Sequence, residues 1–97
     1  MAFVVAAKWT AREGQQDVVA GALAKLAGPS QAEAGVLFYQ LHRDPDSPLV
    51  FFIYEQYRSK ADYEAHGASE HFQQFAVGEA FPALESRERG FYETWDV

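Results

Sequence analysis

The sequence contains no cysteine, and only 8 of its 97 residues are lysine or arginine. Without a thiol, the chain forms no disulfide, binds no metal through thiolates and has no cysteine nucleophile. The 14 acidic residues outnumber the basic ones and give a formal net charge of -6. An acidic chain without a cluster of basic residues does not match a nucleic acid or an anionic membrane as partner. We therefore expect a ligand that is small and either uncharged or apolar.

Two kinds of segment are also missing. The apolar run at the N-terminus stops at Lys8 and has no basic segment before it, so it is too short for a signal peptide or for the ~20 residues of a membrane span. No Gly-x-Gly-x-x-Gly motif follows a strand, and no phosphate-binding P-loop occurs. We expect a cytoplasmic protein that binds no nucleotide cofactor through these motifs.

Aromatic side chains, in contrast, are plentiful. The 8 Phe, 5 Tyr and 2 Trp residues make up 15% of the chain, and 48% of all residues are hydrophobic. This apolar content excludes a disordered chain, and the length predicts a single domain over residues 1–97. A domain of this size buries only about 60 to 65% of the surface that its unfolded chain exposes. The aromatic residues therefore exceed what one small core is expected to hold.

Local patterns predict the element order β-α-β-β-α-β. Runs rich in β-branched and aromatic residues predict strands, and the segment 44–48 predicts the turn of a hairpin. Apolar residues at intervals of three and four predict a first helix that ends at Gly28-Pro29. A capping box at Ser59 begins a second helical region, which is broken at Gly67. The strands are expected at 3–9, 36–42, 49–57 and 90–95, and the helices at 15–27, at 59–67 and from Ser69 to the residue before Pro82.

This order predicts an α+β fold of the ferredoxin-like type. With right-handed crossovers it gives a four-stranded antiparallel sheet, with the first and third strands in the centre and the helices on one face. Alternation along the second and third strands puts apolar side chains on both faces, among them Phe38, Phe52 and Tyr54. Burial of each large apolar side chain contributes roughly 1.5 to 3 kcal/mol. We therefore predict a homodimer that packs sheet to sheet.

The order and spacing of several short motifs resemble a known family. The motifs are Glu33-x-Gly35, Tyr39, Tyr54-Glu55-x-Tyr57-x-Ser59, Tyr63, His66, Ser69 and His71-Phe72. Together they resemble the antibiotic biosynthesis monooxygenase (ABM) domain, and the similarity extends over residues 3–95. The resemblance implies a dimeric ferredoxin-like α+β barrel with a pocket between helices and sheet in each subunit. It also implies, in many members, an oxygenase that uses neither a metal nor an organic cofactor.

The leading interpretation is a cofactor-independent monooxygenase that oxidises a small quinol-like or polycyclic phenolic substrate with O2. A deprotonated hydroquinone can itself give an electron to O2, so the protein needs only a base, a dry aromatic pocket and a means of orienting the ring. One alternative is a non-catalytic dimeric protein that binds a small hydrophobic or phenolic molecule. Another is an isomerase of a small phosphorylated signalling molecule, which is less favoured because the sequence shows no basic cluster for phosphate.

Haem degradation, which other members of the family perform, is a further alternative. Such members resemble one another in having Asn on the first strand, Trp at the end of the third strand and a His iron ligand on the later helix. This chain has Ala6 and Ala7 on the first strand and Tyr57 at the end of the third. Two of the three features are missing, so haem degradation is disfavoured.

His66 and Tyr63 are the candidate catalytic residues. The ordinary pKa of histidine, ~6.5, suits a base at neutral pH, and Tyr63 lies one turn earlier on the same helix face. His66 can equally face solvent, and the family pattern, which has a His or Tyr facing the pocket here, favours the catalytic role. The spacing between His66 and His71 crosses Gly67, and no clear third ligand is apparent, so we expect no metal site.

The candidates for substrate binding are one acidic, one imidazole and three aromatic side chains. Glu55 interrupts an apolar central strand, so it is either a pocket residue with a raised pKa or, as we favour, a structural anchor. Tyr57, Trp9 and Phe75 are candidates for an aromatic wall, although an aromatic side chain at such spacing packs in a core more often than it stacks on a ligand. His71 is the weakest of these candidates, because it belongs to the start of the next helix.

Overall fold

The computed structural model describes residues 1–97 and contains one four-stranded antiparallel sheet with three helices. The strands are β1 (Phe3–Ala11), β2 (Val36–Asp44), β3 (Ser47–Tyr57) and β4 (Leu84–Glu93). The helices are α1 (Gln16–Gln31), α2 (Lys60–Ala68) and α3 (Phe72–Ala80), and a short 3₁₀ turn (Phe81–Ala83) joins α3 to β4. The strand order β2-β3-β1-β4 places β1 and β3 in the centre. This confirms the predicted ferredoxin-like β-α-β-β-α-β fold.

The helices cover one face of the sheet. Alternate residues of β1, from Val5 to Ala11, and of β3, from Phe51 to Tyr57, are buried on this face. They pack against apolar side chains of α1 and α3. None of the three helices is both long and apolar enough to cross a membrane. The core consists of Ala7, Trp9, Ala11, Val19, Ala22, Leu23, Leu26, Tyr39, Phe51, Ile53, Ala76, Ala80, Ala83 and Leu84.

Helix α1 continues past the pair that was expected to end it. Gly28 and Pro29 lie inside the helix, which extends to Gln31. Proline has no N–H, so Pro29 removes one helical hydrogen bond. Both residues are exposed, whereas Leu26 and Ser30 on the inner side of the same turn are buried. Packing of this inner side against the sheet outweighs the local stop signal, so the predicted helix end was wrong.

Two serines begin the second and third helices, as predicted. The Oγ of Ser59 accepts a hydrogen bond from the backbone N of Asp62 at 3.3 Å, and the Oγ of Ser69 accepts one from the backbone N of Phe72 at 3.3 Å. Helix α2 continues through Gly67, and the break comes at Ser69, whose backbone is extended. Helix α3 has π-type rather than α-type hydrogen bonds, which the sequence did not indicate.

Strand β4 is longer than predicted. It begins at Leu84 and ends at Glu93, whereas the sequence predicted a strand over 90–95. The charged residues of its first half conceal the strand pattern, but β4 lies at the edge of the sheet, where charged side chains are well tolerated. In the observed register Arg87 and Arg89 pair with residues of β1 that point to the helix-covered face. The early start of β4 therefore places two arginines on the side of the sheet that holds the helices.

The other face of the sheet, called here the open face, has no element packed on it. It exposes 50% of Phe38, 37% of Phe52 and 61% of Tyr92. Phe38 and Phe52 alternate along their strands with buried residues of the helix-covered face, and Tyr92 pairs with Val4 of β1 on the open side. The predicted sheet-to-sheet dimer stays a prediction, and the open face is the surface to which it applies.

Candidate active site

A cavity lies between the sheet and the helices α2 and α3. Its volume is about 240 Å³, slightly below the range of about 300 to 1,000 Å³ that is typical of small-molecule pockets. Its walls combine aromatic side chains with ionisable side chains from α2, β3 and β4. The lining residues are Val5, Ala7, Trp9, Glu55, Tyr63, Glu64, His66, Gly67, Phe72, Phe81, Arg87 and Arg89.

A wider groove of about 630 Å³ lies beside the N-terminus. It contains no histidine, and the acid in it, Glu93, is exposed. Proton chemistry depends on ionisable groups whose pKa values are shifted by burial or by close partners, and these are found in the smaller cavity. The smaller cavity is therefore the candidate active site.

Helix α2 brings both predicted catalytic residues to the cavity. Because Ser59 sets the start of the helix, Tyr63 and His66, three positions apart, share its inner face. Both residues line the cavity. His66 is only 1% exposed, so the alternative of a solvent-facing histidine is wrong.

Glu33, in the loop between α1 and β2, orients the ring of His66. Its Oε2 lies 2.7 Å from the Nδ1 of His66 and 2.7 Å from the Nε2 of His71. A carboxylate only accepts hydrogen bonds, so the neutral ring of His66 donates through Nδ1 and keeps Nε2 as an acceptor. The Nε2 atom lies 4.0 Å from the Oε1 of Glu55, which also lines the cavity. Glu33 thus selects the tautomer that a base at Nε2 requires.

Glu33 has no role predicted from the sequence beyond its place in the Glu33-x-Gly35 motif. The acid stands 33 positions before His66, so no local pattern connects the two. Gly35 supplies the link, because a Cβ at this position would lie 2.3 Å from the Cγ of Asp62 on α2. Only glycine lets α2 approach β2 this closely. Since Asp62 lies one turn before His66, the approach also brings His66 to Glu33.

Burial shifts two pKa values at the cavity in opposite directions. It lowers the pKa of His66, although the hydrogen bond and charge of Glu33 act against this shift, and the imidazole is neutral at pH 7. Burial raises the pKa of Glu55 to about 7, although the hydrogen bond from Tyr57 and the charge of Arg89 act against it. Tyr57 Oη donates to Glu55 Oε1 at 2.5 Å. A carboxyl group with a pKa of about 7 and an imidazole with a lowered pKa therefore lie side by side.

Two of the predicted binding residues line the cavity, and a third supports them. Trp9 and Glu55 belong to the lining. Tyr57 is fully buried outside the lining, with its ring centroid 5.7 Å from that of His66. Tyr57 therefore supports the wall and the Glu55 carboxylate and does not itself face the cavity.

The structure places the other two predicted binding residues outside the cavity lining. Phe75 packs under the ammonium group of Lys25, 5.2 Å from the ring centroid, because α3 turns Phe72 rather than Phe75 toward the cavity. His71 contacts Glu33 and reaches the site only through that carboxylate. The aromatic wall that sequence reasoning missed consists of Phe72 and Phe81, which lie on α3 and on the 3₁₀ turn after it.

Glu33, His66 and His71 also form a potential metal-binding group. One ligand atom of each residue lies within 4.8 Å of the others, and two imidazoles with one carboxylate are ligands of catalytic zinc and of non-haem iron. The expectation that the two histidines lack a third partner was wrong, because that partner is remote in the sequence. In the observed arrangement both histidines hydrogen-bond to the carboxylate. A metal ion would compete with these hydrogen bonds.

The chain matches a known protein family over most of its length. A sequence model of the family described as antibiotic biosynthesis monooxygenase matches residues 2–77. The matched residues include Glu33, Glu55, His66 and His71 and end before β4. No curated protein matches the sequence significantly.

Solved structures share the whole fold. The protein PA3566 of Pseudomonas aeruginosa is 32% identical, with a TM-score of 0.91, and the match covers 98% of this chain and 95% of that one. The protein SO0527 of Shewanella oneidensis is 26% identical, with a TM-score of 0.86 and coverage of 94% and 88%. A protein described as an antibiotic biosynthesis monooxygenase is 21% identical, with a TM-score of 0.89 and coverage of 99% and 100%. At 21% identity, the similarity to this last protein shows only that the two chains share a fold.

Proposed function

The chain belongs to the antibiotic biosynthesis monooxygenase family, and we propose that it is a cofactor-independent monooxygenase that oxidises a small quinol with O2. One observation carries the proposal: a buried, neutral imidazole, His66, meets an aromatic cavity and is held by Glu33 in the tautomer with a free Nε2. A base of this kind is what the deprotonation of a quinol requires.

In the proposed reaction the substrate is the only reductant. His66 Nε2 takes the proton of a phenolic hydroxyl, and the hydroquinone anion gives an electron to O2. The two radicals join and form a C–O bond at a ring carbon. Cleavage of the O–O bond leaves one oxygen atom on the ring, and the other departs as water with the two hydrogen atoms that the quinol loses. One quinol and one O2 thus give one hydroxylated quinone and one water.

Tyr63 and Glu55 complete the proton chemistry in this proposal. The Oη of Tyr63 accepts a hydrogen bond from Arg89 Nη1 at 2.7 Å, which leaves its own phenolic hydrogen free to bind an oxygen of the substrate. Glu55, with a pKa of about 7, takes up and returns a proton near His66 during turnover. Neither group needs to move far, because both already line the cavity.

The cavity favours the small end of the proposed substrate range. Trp9 and Phe81 meet edge to face with their ring centroids 5.5 Å apart, and Phe72 and Phe81 do so at 5.9 Å. Such contacts fix the rings and leave a rigid aromatic wall. A volume of about 240 Å³ suits one or two fused rings. We therefore favour a quinol over a larger polycyclic phenol.

Oxygen uptake by the metal-free protein tests the proposal. Chelator-treated protein is mixed with a reduced naphthohydroquinone, and O2 uptake is compared with the autoxidation blank. We expect uptake above the blank in the wild type and a loss of about 100-fold or more in His66→Ala. His42→Ala is the matched control, because it removes an exposed histidine outside the cavity, and it should keep the wild-type rate.

Three results would contradict the proposal in different ways. Wild-type uptake equal to the blank favours the non-catalytic binding protein. Uptake by His66→Ala equal to that of the wild type removes His66 from the mechanism. Uptake that appears only after a divalent metal is added assigns Glu33, His66 and His71 to metal binding and rejects the cofactor-independent reaction.

A further inference from the structure

Two arginines of β4 line the cavity without an acidic partner. Arg87 and Arg89 lie two positions apart on the edge strand and share the helix-covered face. No carboxylate lies within 4.0 Å of either guanidinium. The two acids that line the cavity, Glu55 and Glu64, form no ion pair with them, although the charge of Arg89 acts on Glu55 at longer range. Among the other basic residues, Lys25 pairs with Glu79 at 2.6 Å and Arg58 with Asp62 at 3.3 Å. The two charges at the cavity are therefore unpaired in a chain whose net charge is -6.

Both guanidiniums are held in place by aromatic side chains. The Cζ of Arg87 lies 4.0 Å from the ring centroid of Phe81, and Arg89 donates to the Oη of Tyr63 at 2.7 Å. Stacking uses the face of a guanidinium and leaves its N–H groups in the ring plane free, and the single bond to Tyr63 uses one of the five donors of Arg89. The fixed position and the free donors together are what a site for an oxyanion needs.

Both arginines are partly exposed to solvent, and their like charges lie close together. Partial burial and the charge of Arg89 lower the pKa of Arg87, which means that the neighbouring positive charges repel each other. A structural role in supporting Phe81 and Tyr63 requires no charge, since an uncharged long side chain covers an aromatic ring as well. An anion bound between the two guanidiniums would remove the repulsion and satisfy the free donors.

We propose that Arg87 and Arg89 bind a carboxylate group on the aromatic substrate, so that the substrate is an aromatic acid. This inference rests on the proposed function for the identity of the ring, and it differs from the expectation, drawn from the net charge, of an uncharged or apolar ligand. The ring lies against Trp9, Phe72 and Phe81, and the carboxylate lies at the β4 side of the cavity. Phosphate offers the same chemistry to arginine, but a carboxylate is planar and smaller, which suits a cavity of about 240 Å³.

Binding of unreactive analogues tests the inference separately from the reaction. Naphthoate and naphthamide have almost the same shape and differ in charge, and neither can be oxidised as a quinol. Calorimetry should show that the wild type binds naphthoate about tenfold or more tightly than naphthamide. Arg87→Gln and Arg89→Gln should each remove about tenfold of the naphthoate affinity and leave the naphthamide affinity unchanged. The naphthamide affinity thus reports whether the aromatic wall is intact.

Arg43→Gln is the matched control. It removes one positive charge from β2, where Arg43 stacks on Phe51 outside the cavity, so the affinity for naphthoate should not change. Equal binding of naphthoate and naphthamide by the wild type, or an equal loss of naphthoate affinity in Arg43→Gln, would overturn the inference. Tighter binding of naphthyl phosphate than of naphthoate would overturn the choice of carboxylate. None of these results depends on oxygen uptake, so the inference and the proposed function fail independently.

Discussion

Among single residues, Glu33 controls which nitrogen of His66 is free to act as a base. Glu33→Gln keeps the size of the side chain, but its amide group donates as well as accepts and no longer enforces a proton on His66 Nδ1. We expect kcat for a quinol to fall about tenfold to 100-fold with little change in KM, since the substrate itself does not touch this side chain. Steady-state oxygen uptake measures both constants. An unchanged kcat would show that the tautomer does not depend on Glu33.

The pH profile of the same variant separates a positioning role from a merely structural one. Burial holds the pKa of His66 below its ordinary value of ~6.5, and Glu33 opposes that shift. The titration of Glu55, with a pKa of about 7, affects the wild-type kcat at higher pH. The fall in kcat that protonation of His66 causes should therefore come below about pH 6.5. Loss of the Glu33 charge should move this fall to a lower pH. A structural role would reduce the rate at every pH and leave the position of the fall unchanged.

Glu55 makes the stability of the fold depend on pH. Burial raises its pKa from 4.5 to about 7, so between these values the folded protein holds a proton that the unfolded chain has released. The stabilising contribution is complete below about pH 4.5 and is lost as the pH rises through 7. Glu55→Gln keeps an acceptor for Tyr57 and cannot ionise. We expect urea denaturation to find it more stable than the wild type at about pH 8, by on the order of 2 kcal/mol, and almost equal to it at about pH 4.5. The same difference at both pH values would contradict this.

At the scale of secondary-structure elements, two glycines should respond in opposite ways to the same substitution. A Cβ at Gly35 would lie 2.3 Å from the side chain of Asp62, whereas a Cβ at Gly21, in the middle of α1, meets nothing within 4 Å. Gly35→Ala pushes α2 away from β2 and should destabilise the fold by about 1 to 3 kcal/mol. Gly21→Ala should stabilise it by about 0.5 to 1 kcal/mol, because alanine favours helix.

Thermal and urea denaturation of both variants test this pair, and the opposite signs exclude a general effect of alanine. Gly35→Ala should also lower kcat, because the displaced α2 carries His66 away from Glu33. A Gly35→Ala variant as stable as the wild type would show that α2 can move without cost.

The elements that the sequence predicted correctly are those defined by short-range chemistry. The capping serine Ser59, the hairpin and the apolar central strands depend on neighbouring residues, and all are present. The turn of the hairpin is shorter than the predicted segment 44–48 and occupies residues 45–46. The wrong boundaries depend on tertiary packing. Buried Leu26 and Ser30 carry α1 past Pro29, and pairing with β1 makes a strand of the charged residues before Gly90. The local structural propensities of these residues do not predict either effect.

Prediction of the candidate active site from the sequence is limited in the same way by tertiary packing. His66, Tyr63, Glu55 and Trp9 were predicted from residue type and family pattern, and they line one cavity. Glu33 and the two arginines of β4 were not assigned a role there, because their approach to His66 and Tyr63 depends on elements distant in the chain. The pKa values of the site likewise follow from burial, which a sequence motif does not specify.

At the scale of the whole molecule, the two faces of the sheet differ in what covers them. The helix-covered face holds the core and the cavity, whereas the open face exposes Phe38, Phe52 and Tyr92. We propose that a second copy of the chain covers this face, since a sheet surface of the same composition on both partners is self-complementary. Lys8 and Glu88 stand opposite each other on it, so the face presents charges of both signs.

An additional negative charge introduced on the open face should therefore dissociate the dimer without changing the cavity. Light scattering after size exclusion should give the wild type a mass of about twice 10.9 kDa at micromolar concentration. Phe52→Glu should give a monomer, because a carboxylate buried between two sheets without a partner costs several kcal/mol. Val18→Glu adds the same charge at an exposed apolar position of α1 and should remain dimeric. Since Phe52 points away from His66, the monomeric variant should still bind naphthamide. A monomeric wild type would refute the dimer and leave the open face exposed to solvent.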